Sequence, residues 1–217
     1  MREQATPPIG RQATRLPAWS GERPAMPALN AKQELSAQEI FRATSPSVYL
    51  VVAARSYDGL RERKGSLGSG VAISSDQALT NCHVIEDYDL IALIDGEELL
   101  KAVVSRGHKQ SDRCYLRVEG KLRPIAAVRR TQELSVGERV YTIGNPSGLT
   151  KTLGEGIISG LRVKNGINLV QTTAQISRGS SGGALVDSRG ALVGITTFLL
   201  RDAQNLNFAI AAEEYWR

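Results

Sequence analysis

One segment of the chain is built to expose a hydroxyl on a tight turn: Arg178-Gly179-Ser180-Ser181-Gly182-Gly183. A nucleophilic serine needs such a turn, because neighbouring backbone N–H groups must converge on the oxyanion that forms as it attacks. Glycine supplies the turn by tolerating positive φ, and it lets a substrate approach the main chain. Apolar stretches flank the segment, LVQTTAQI before it and ALV after it. Taken alone, it reads equally well as a plain Gly/Ser loop.

What raises it above that is a base. Of the two histidines, His108 lies in the polar stretch SRGHKQSD, which reads as an exposed loop. His83 follows the apolar run ALTN, where a strand gives way to a turn, and is the natural general base. A lone histidine at such a place is more often structural; its weight comes from the serine turn. The third member should be a carboxylate that fixes the imidazole tautomer. Asp112 heads the apolar run CYLRV, 29 residues beyond His83 and 69 before Ser181. Asp87, Asp89 and Asp95 are weaker candidates. The first two lie too near His83 in sequence to fold back easily, and all three read as turn or strand-edge charges.

Other chemistry is poorly served. Two cysteines without Cys-x-Cys spacing and one usable histidine make a zinc site improbable, and neither metal nor cofactor is expected. Gly65-Ser66-Leu67-Gly68-Ser69-Gly70 looks like a phosphate loop only superficially. It lacks the lysine and the helix and reads as a turn into a strand.

The elements that must position these residues are short apolar runs between turn residues: 48–54, 70–73, 78–81, 89–94, 99–105 and 114–118, then 139–144, 154–161, 169–174, 191–198 and 207–211. Many short strands at this spacing, with 21 glycines, indicate an all-β barrel or sandwich. Ser36 and Glu39 form a capping box that opens a short helix, AQEIFRAT, which Pro46 stops. Residues 1–33, punctuated by Pro7, Pro8, Pro17, Pro24 and Pro27, have linker or disordered composition. Pro124 marks the passage from one barrel to another, giving units over 34–123 and 124–217.

Composition fits an ordinary globular protein, with 41% hydrophobic and 23% charged residues among 217. No stretch reaches the ~18 apolar residues of a membrane helix. The visible N-terminus has no apolar region of a signal peptide, which leaves open a leader already removed. The net charge of +5 sits largely in residues 1–33, and no aromatic-interleaved basic stripe accompanies it. Specific nucleic-acid binding is therefore not expected.

The order His83, Asp112, Ser181 is that of the chymotrypsin-like serine proteases. More closely, the chain resembles the HtrA-like bacterial proteases. The matching segments are GSGVAIS, LTNCHVIED, SDRCYLRV, GERVYTIGNPSGL, GEGIISGLR, VQTTAQISRGSSGGALVDSRGALVGITT and LNFAIA, which span most of 46–211 in family order. The resemblance implies two six-stranded antiparallel β-barrels with a short N-terminal helix, and a triad in the cleft between them. It also implies an oxyanion hole from the N–H groups of Gly179 and Ser181, joined by Ser180. A primary specificity pocket would be lined by Gln175, Ile176, Ser177 and Arg178 and by Ile195, Thr196 and Thr197. Ser181, directly before Gly182-Gly183, is the attacking serine by that motif. Ser180 stands where cleavage-activated relatives carry an aspartate, which argues against that route of activation.

Two readings stay open at this point. Cys82 and Cys114 flank triad members and are either two small buried thiols or a disulfide, the latter implying an oxidising compartment. Arg113, beside Asp112, is either harmlessly exposed or a competitor for the carboxylate. The implied activity is endopeptidase cleavage of polypeptides through an acyl-enzyme, in protein quality control or processing. The rivals are a protease-fold binding module with little turnover and an esterase-like hydrolase. A periplasmic or otherwise exported location is expected, no PDZ domain fits within the sequence, and homo-oligomerisation is left open.

Overall fold

The computed structural model describes residues 25–27, 33–149, 151–197 and 207–217. The expected linker over 1–33 therefore lies, apart from 25–27 and 33, outside the described residues. Helix α1 (Ala37–Thr44) opens with the capping box read from the sequence: the Glu39 N–H donates to Ser36 Oγ, and the Ser36 N–H donates to the Glu39 carboxylate. This exchange satisfies two backbone donors that a helix start otherwise leaves unpaired.

Six strands follow: β1 (Val48–Ala54), β2 (Ser66–Ala72), β3 (Gln77–Thr80), β4 (Leu90–Asp95), β5 (Glu98–His108) and β6 (Arg113–Val118). They close in the order β1-β2-β3-β6-β5-β4. The second set comprises β7 (Arg139–Gly144), β8 (Thr152–Lys164), β9 (Ile167–Thr172), β10 (Ala184–Asp187), β11 (Leu192–Thr197) and β12 (Asn207–Ala211). It closes as β10-β11-β12-β9-β8-β7. Closure pairs every strand on both sides, so neither sheet has an open edge to protect. The expected architecture, two six-stranded antiparallel barrels with a short N-terminal helix, is the one observed.

The period-2 geometry of strands distributes the apolar residues over four clusters. In β1, Tyr49, Val51 and Ala53 join the core of the first barrel, while Leu50, Val52 and Ala54 pack into a cluster with Leu60, Ala92 and Ile94. Both faces of β1 are therefore buried, which explains its unbroken apolar run. Leu60 belongs to a one-turn helix, α2 (Tyr57–Arg61), capped by Ser56 Oγ accepting from the Gly59 N–H. The largest cluster crosses the seam, with Val48, Val71, Ile73 and Leu79 of the first barrel against Tyr141, Ile143, Ala184 and Ile195 of the second. That shared apolar seam fixes how the loops of one barrel meet those of the other.

Candidate active site

His83 sits in a single 3-10 turn, Cys82–Val84, directly beyond β3. Asp112 lies at the start of β6 in the left-handed conformation, φ 54° and ψ 35°. Aspartate tolerates this region better than most residues, because its short side chain can bond locally. There its main-chain carbonyl accepts from Asn81 Nδ2 at 3.1 Å and from the Cys82 N–H. Its carboxylate turns the other way. Asp112 Oδ1 accepts from the His83 N–H at 2.9 Å, and Oδ2 lies 2.7 Å from His83 Nδ1. A carboxylate only accepts, so Nδ1 is the donor of this pair, and in the neutral tautomer it selects the lone pair is on Nε2. A third donor comes from the second barrel, where Thr197 Oγ1 reaches Asp112 Oδ2 at 3.1 Å.

The Gly179–Gly183 loop precedes β10, on the other side of the seam. The carbonyls of 177–181 are held one after another. Ser147 N–H donates to Arg178 O and Ser180 N–H to Ser177 O, while Ser180 O accepts from the Gly183 N–H and from Thr196 Oγ1. The remaining two, Gly179 O and Ser181 O, are held from the first barrel by Ser69 Oγ and by the Ser69 N–H. Gly182 has φ +86°, and a Cβ there would lie 2.0 Å from Ser69 O. Glycine at this position is dictated by backbone proximity as well as by φ. Among the described residues, the N–H groups of Gly179 and Ser181 have no protein acceptor, and no hydrogen bond joins Ser181 Oγ to the His83 ring.

Several sequence expectations are altered in detail. Ser180 N–H is already bonded to Ser177 O, so it is not a free oxyanion donor. Ile195 is completely buried in the seam core, on the face of β11 opposite Thr196. The Thr197 hydroxyl is committed to Asp112. Ile176 is buried and Arg178 exposed. Gln175, Ser177 and Thr196 do come together, with Thr142, Gly144 and Ser180, around a small cavity of about 60 Å³ beneath the loop.

Arg113 does not approach the Asp112 carboxylate. Its Nε donates to Ser111 Oγ, and its Nη1 donates to the main-chain carbonyl of Glu214 in the C-terminal turn. Two residues on, Tyr115 Oη donates to Tyr215 O, and the two tyrosine rings pack edge to face at 5.7 Å. The C-terminal turn thus clasps the strand that carries Asp112. Burial, and next the charge of Asp112, push the Tyr215 phenol well above its ordinary range. Cys82 and Cys114 are joined as a disulfide with Cα atoms 4.9 Å apart. It links the residue before His83 to the residue two beyond Asp112.

Sequence reasoning passed over Thr197's bond to Asp112, the cross-barrel part of Ser69, and Asn145, which donates its N–H to Ser69 Oγ. Ser69 stood in the sequence only as part of a glycine-rich turn into a strand and of GSGVAIS, a segment noted for resemblance and not for a hydrogen-bonding part.

Two closed six-stranded barrels, with a carboxylate-bonded histidine in the first and a glycine-framed serine in the second, are the architecture of the trypsin-like class of peptidase fold. Residues 68–195 match the family model described as trypsin-like peptidase domain, and the chain belongs to that family. Within it, the relatives are of HtrA type. The periplasmic serine endoprotease DegP of Escherichia coli is 35% identical over 165 residues, covering 70% of this chain and 34% of that protein. A probable periplasmic serine endoprotease DegP-like of Ectopseudomonas mendocina is 33% identical over 97% of this chain and 46% of its own. The serine endoprotease structure from Yersinia pestis matches with TM-score 0.68 and 32% identity, covering 84% of this chain and 65% of that one. The HtrA-type protease AlgW with tripeptide gives TM-score 0.71 at 29% identity, with coverage of 84% and 62%. The chain spans less than half the length of the curated relatives it matches.

Proposed function

We propose that this chain is a serine endopeptidase in which His83, Asp112 and Ser181 act as the catalytic triad. The observation that carries the reading is the Asp112 carboxylate, which accepts from the His83 main chain and from Thr197 while holding His83 Nδ1 at 2.7 Å. Such a carboxylate presents one imidazole tautomer, with Nε2 free to take the Ser181 proton as Oγ attacks a peptide carbonyl. The unbonded N–H groups of Gly179 and Ser181 are the donors available to the oxyanion. The imidazolium then protonates the leaving amine, and water activated by His83 releases the acyl-enzyme. Substrate binding draws Ser181 Oγ onto His83, since such bonds are often long before substrate arrives.

The substrates are polypeptides, and the role is protein quality control or processing, by analogy with relatives named as periplasmic endoproteases. Export to an oxidising compartment accords with those names and with the Cys82–Cys114 disulfide. Among the described residues, no helix is long and apolar enough to cross a membrane.

The test is labelling by a fluorophosphonate probe, with turnover of fluorescein-labelled casein and of simple esters. Labelling at Ser181 and casein cleavage that both vanish in Ser181→Ala support the reading. A folded protein that resists labelling is a binding module instead. One that labels and cleaves only esters is an esterase.

A further inference from the structure

Ser69 lies on β2 of the first barrel and is fully buried. All of its hydrogen-bonding capacity is committed across the seam or towards the His83 strand. Its hydroxyl donates to Gly179 O at 2.9 Å and accepts from the Asn145 N–H at 2.9 Å and from Asn145 Nδ2 at 3.2 Å. A serine hydroxyl offers one donor and two acceptor sites, so it is saturated. The Ser69 N–H donates to Ser181 O at 2.7 Å. Its carbonyl accepts from Thr80 Oγ1 at 2.7 Å, three residues before His83.

The residues whose carbonyls Ser69 holds are Gly179 and Ser181, the same two whose N–H groups have no acceptor among the described residues. A peptide plane is rigid, and the Gly179 carbonyl belongs to the 179–180 plane, which lies between the two planes that carry the Gly179 and Ser181 N–H groups; holding it restrains the torsions at Gly179 and Ser180 that set those planes. Gly179, at φ +90°, has no side chain to limit its torsions and can reorient readily. Asn145 anchors the hydroxyl in turn. Its Nδ2 also donates to Tyr49 O, and its Oδ1 accepts from the Lys151 N–H, so the group that orients Ser69 is itself tied at both ends.

We propose that Ser69 is a positioning residue for transition-state stabilisation: through its hydroxyl it holds the 179–180 peptide, the link between the two donor-bearing peptides, so that the oxyanion donors stand ready before substrate arrives. The proposal rests on the serine-protease reading above. Preorganised donors matter because reorienting them during reaction costs part of what they stabilise. Losing one oxyanion donor outright reduces turnover by on the order of 10²–10³. Freeing a donor to wander, without deleting it, should cost less, about 10–100-fold.

The experiment compares wild type, Ser69→Ala, Ser69→Cys and Ser181→Ala, each well below its melting temperature. The rate of Ser181 labelling by a fluorophosphonate, whose phosphoryl oxygen occupies the oxyanion site, should fall about 10–100-fold in Ser69→Ala. Ser69→Cys, a weaker donor in the same place, should fall between it and wild type. With casein, kcat should drop while KM holds. The pH midpoint of labelling should stay put, because the His83–Asp112 pair is untouched. If Ser69→Ala does not fold, the cysteine variant alone is read the same way. Labelling within twofold of wild type, a shifted pH midpoint, or a loss that tracks only the unfolded fraction overturns the proposal. Wild type that labels no faster than Ser181→Ala instead removes the protease reading, and the role of Ser69 with it.

Discussion

The Cys82–Cys114 disulfide should be a principal support of the first barrel, and its removal has a calculable cost. The bonded residues are 32 apart in sequence. Cross-linking residues at that separation removes unfolded-state entropy worth about 3.7 kcal/mol at 25 °C in the chain-entropy model. Both cysteines are nearly inaccessible, so reductant is a poor tool and substitution a clean one. In a Cys82→Ala/Cys114→Ala variant the melting temperature should fall roughly 8–15 °C, at roughly 2–4 °C per kcal/mol for a domain this size. Two buried sulfur atoms also leave the core, which pushes the loss towards the upper end. Calorimetry on both proteins, with thiol titration of the unfolded chains, measures the effect. Catalysis at 15 °C should change far less than stability, since Asp112 keeps its bonds from Asn81, His83 and Thr197. A melting temperature within 2 °C of wild type, or two free thiols in the unfolded wild type, refutes the reasoning.

Asp112→Asn keeps the shape but loses control of the tautomer, and kcat on casein should fall on the order of 10⁴-fold, as in the serine-protease template. Thr197→Val removes one of the hydrogen bonds to Asp112 Oδ2; stopped-time casein assays should show kcat about tenfold lower with KM unchanged, the equivalent of ~1.4 kcal/mol. Tyr215 is fully buried with its hydroxyl unpartnered among the described residues, so Tyr215→Phe should leave the urea midpoint at pH 8 unchanged or raised. Its raised pKa gives the alkaline prediction its sign. The unfolded chain ionises near pH 10 while the folded phenol stays neutral, so this part of the stability is complete below pH 10 and is lost as pH rises beyond it. Urea titrations at pH 8 and above pH 10 should show a shallower alkaline decline in the variant.

The strands were legible where both faces of the chain had a consistent burden. β1, β7 and β12 coincide with the apolar runs at 48–54, 139–144 and 207–211. β10 was visible only as the ALV behind the serine motif, because four residues carry too little pattern. Helix α2 was missed for the same reason, its five residues being shorter than the periodicity that would reveal them. Proximity of His83 and Asp112 could be argued from strand ends and polar loops. The bonds of Ser69 to residues 76 and 110 positions away could not, since nothing local in GSG marks a cross-barrel contact. The resemblance put Ile195 and Thr197 on the pocket. The register of β11 turned one into the core and the other onto the carboxylate.

Helix α1 precedes the first barrel in sequence, yet Ile40 sinks into the cluster that holds Tyr141 and Tyr215, and the Leu35 N–H donates to Ser188 O beside β10. The chain therefore visits the second barrel, builds the first, and returns. Severed in the connection between β6 and β7, the two pieces would each hold part of the other's interior. Neither half should fold to completion alone, whereas the two expressed together could reassemble. The two-barrel division describes geometry, and the covalent order laces the halves into one cooperative body.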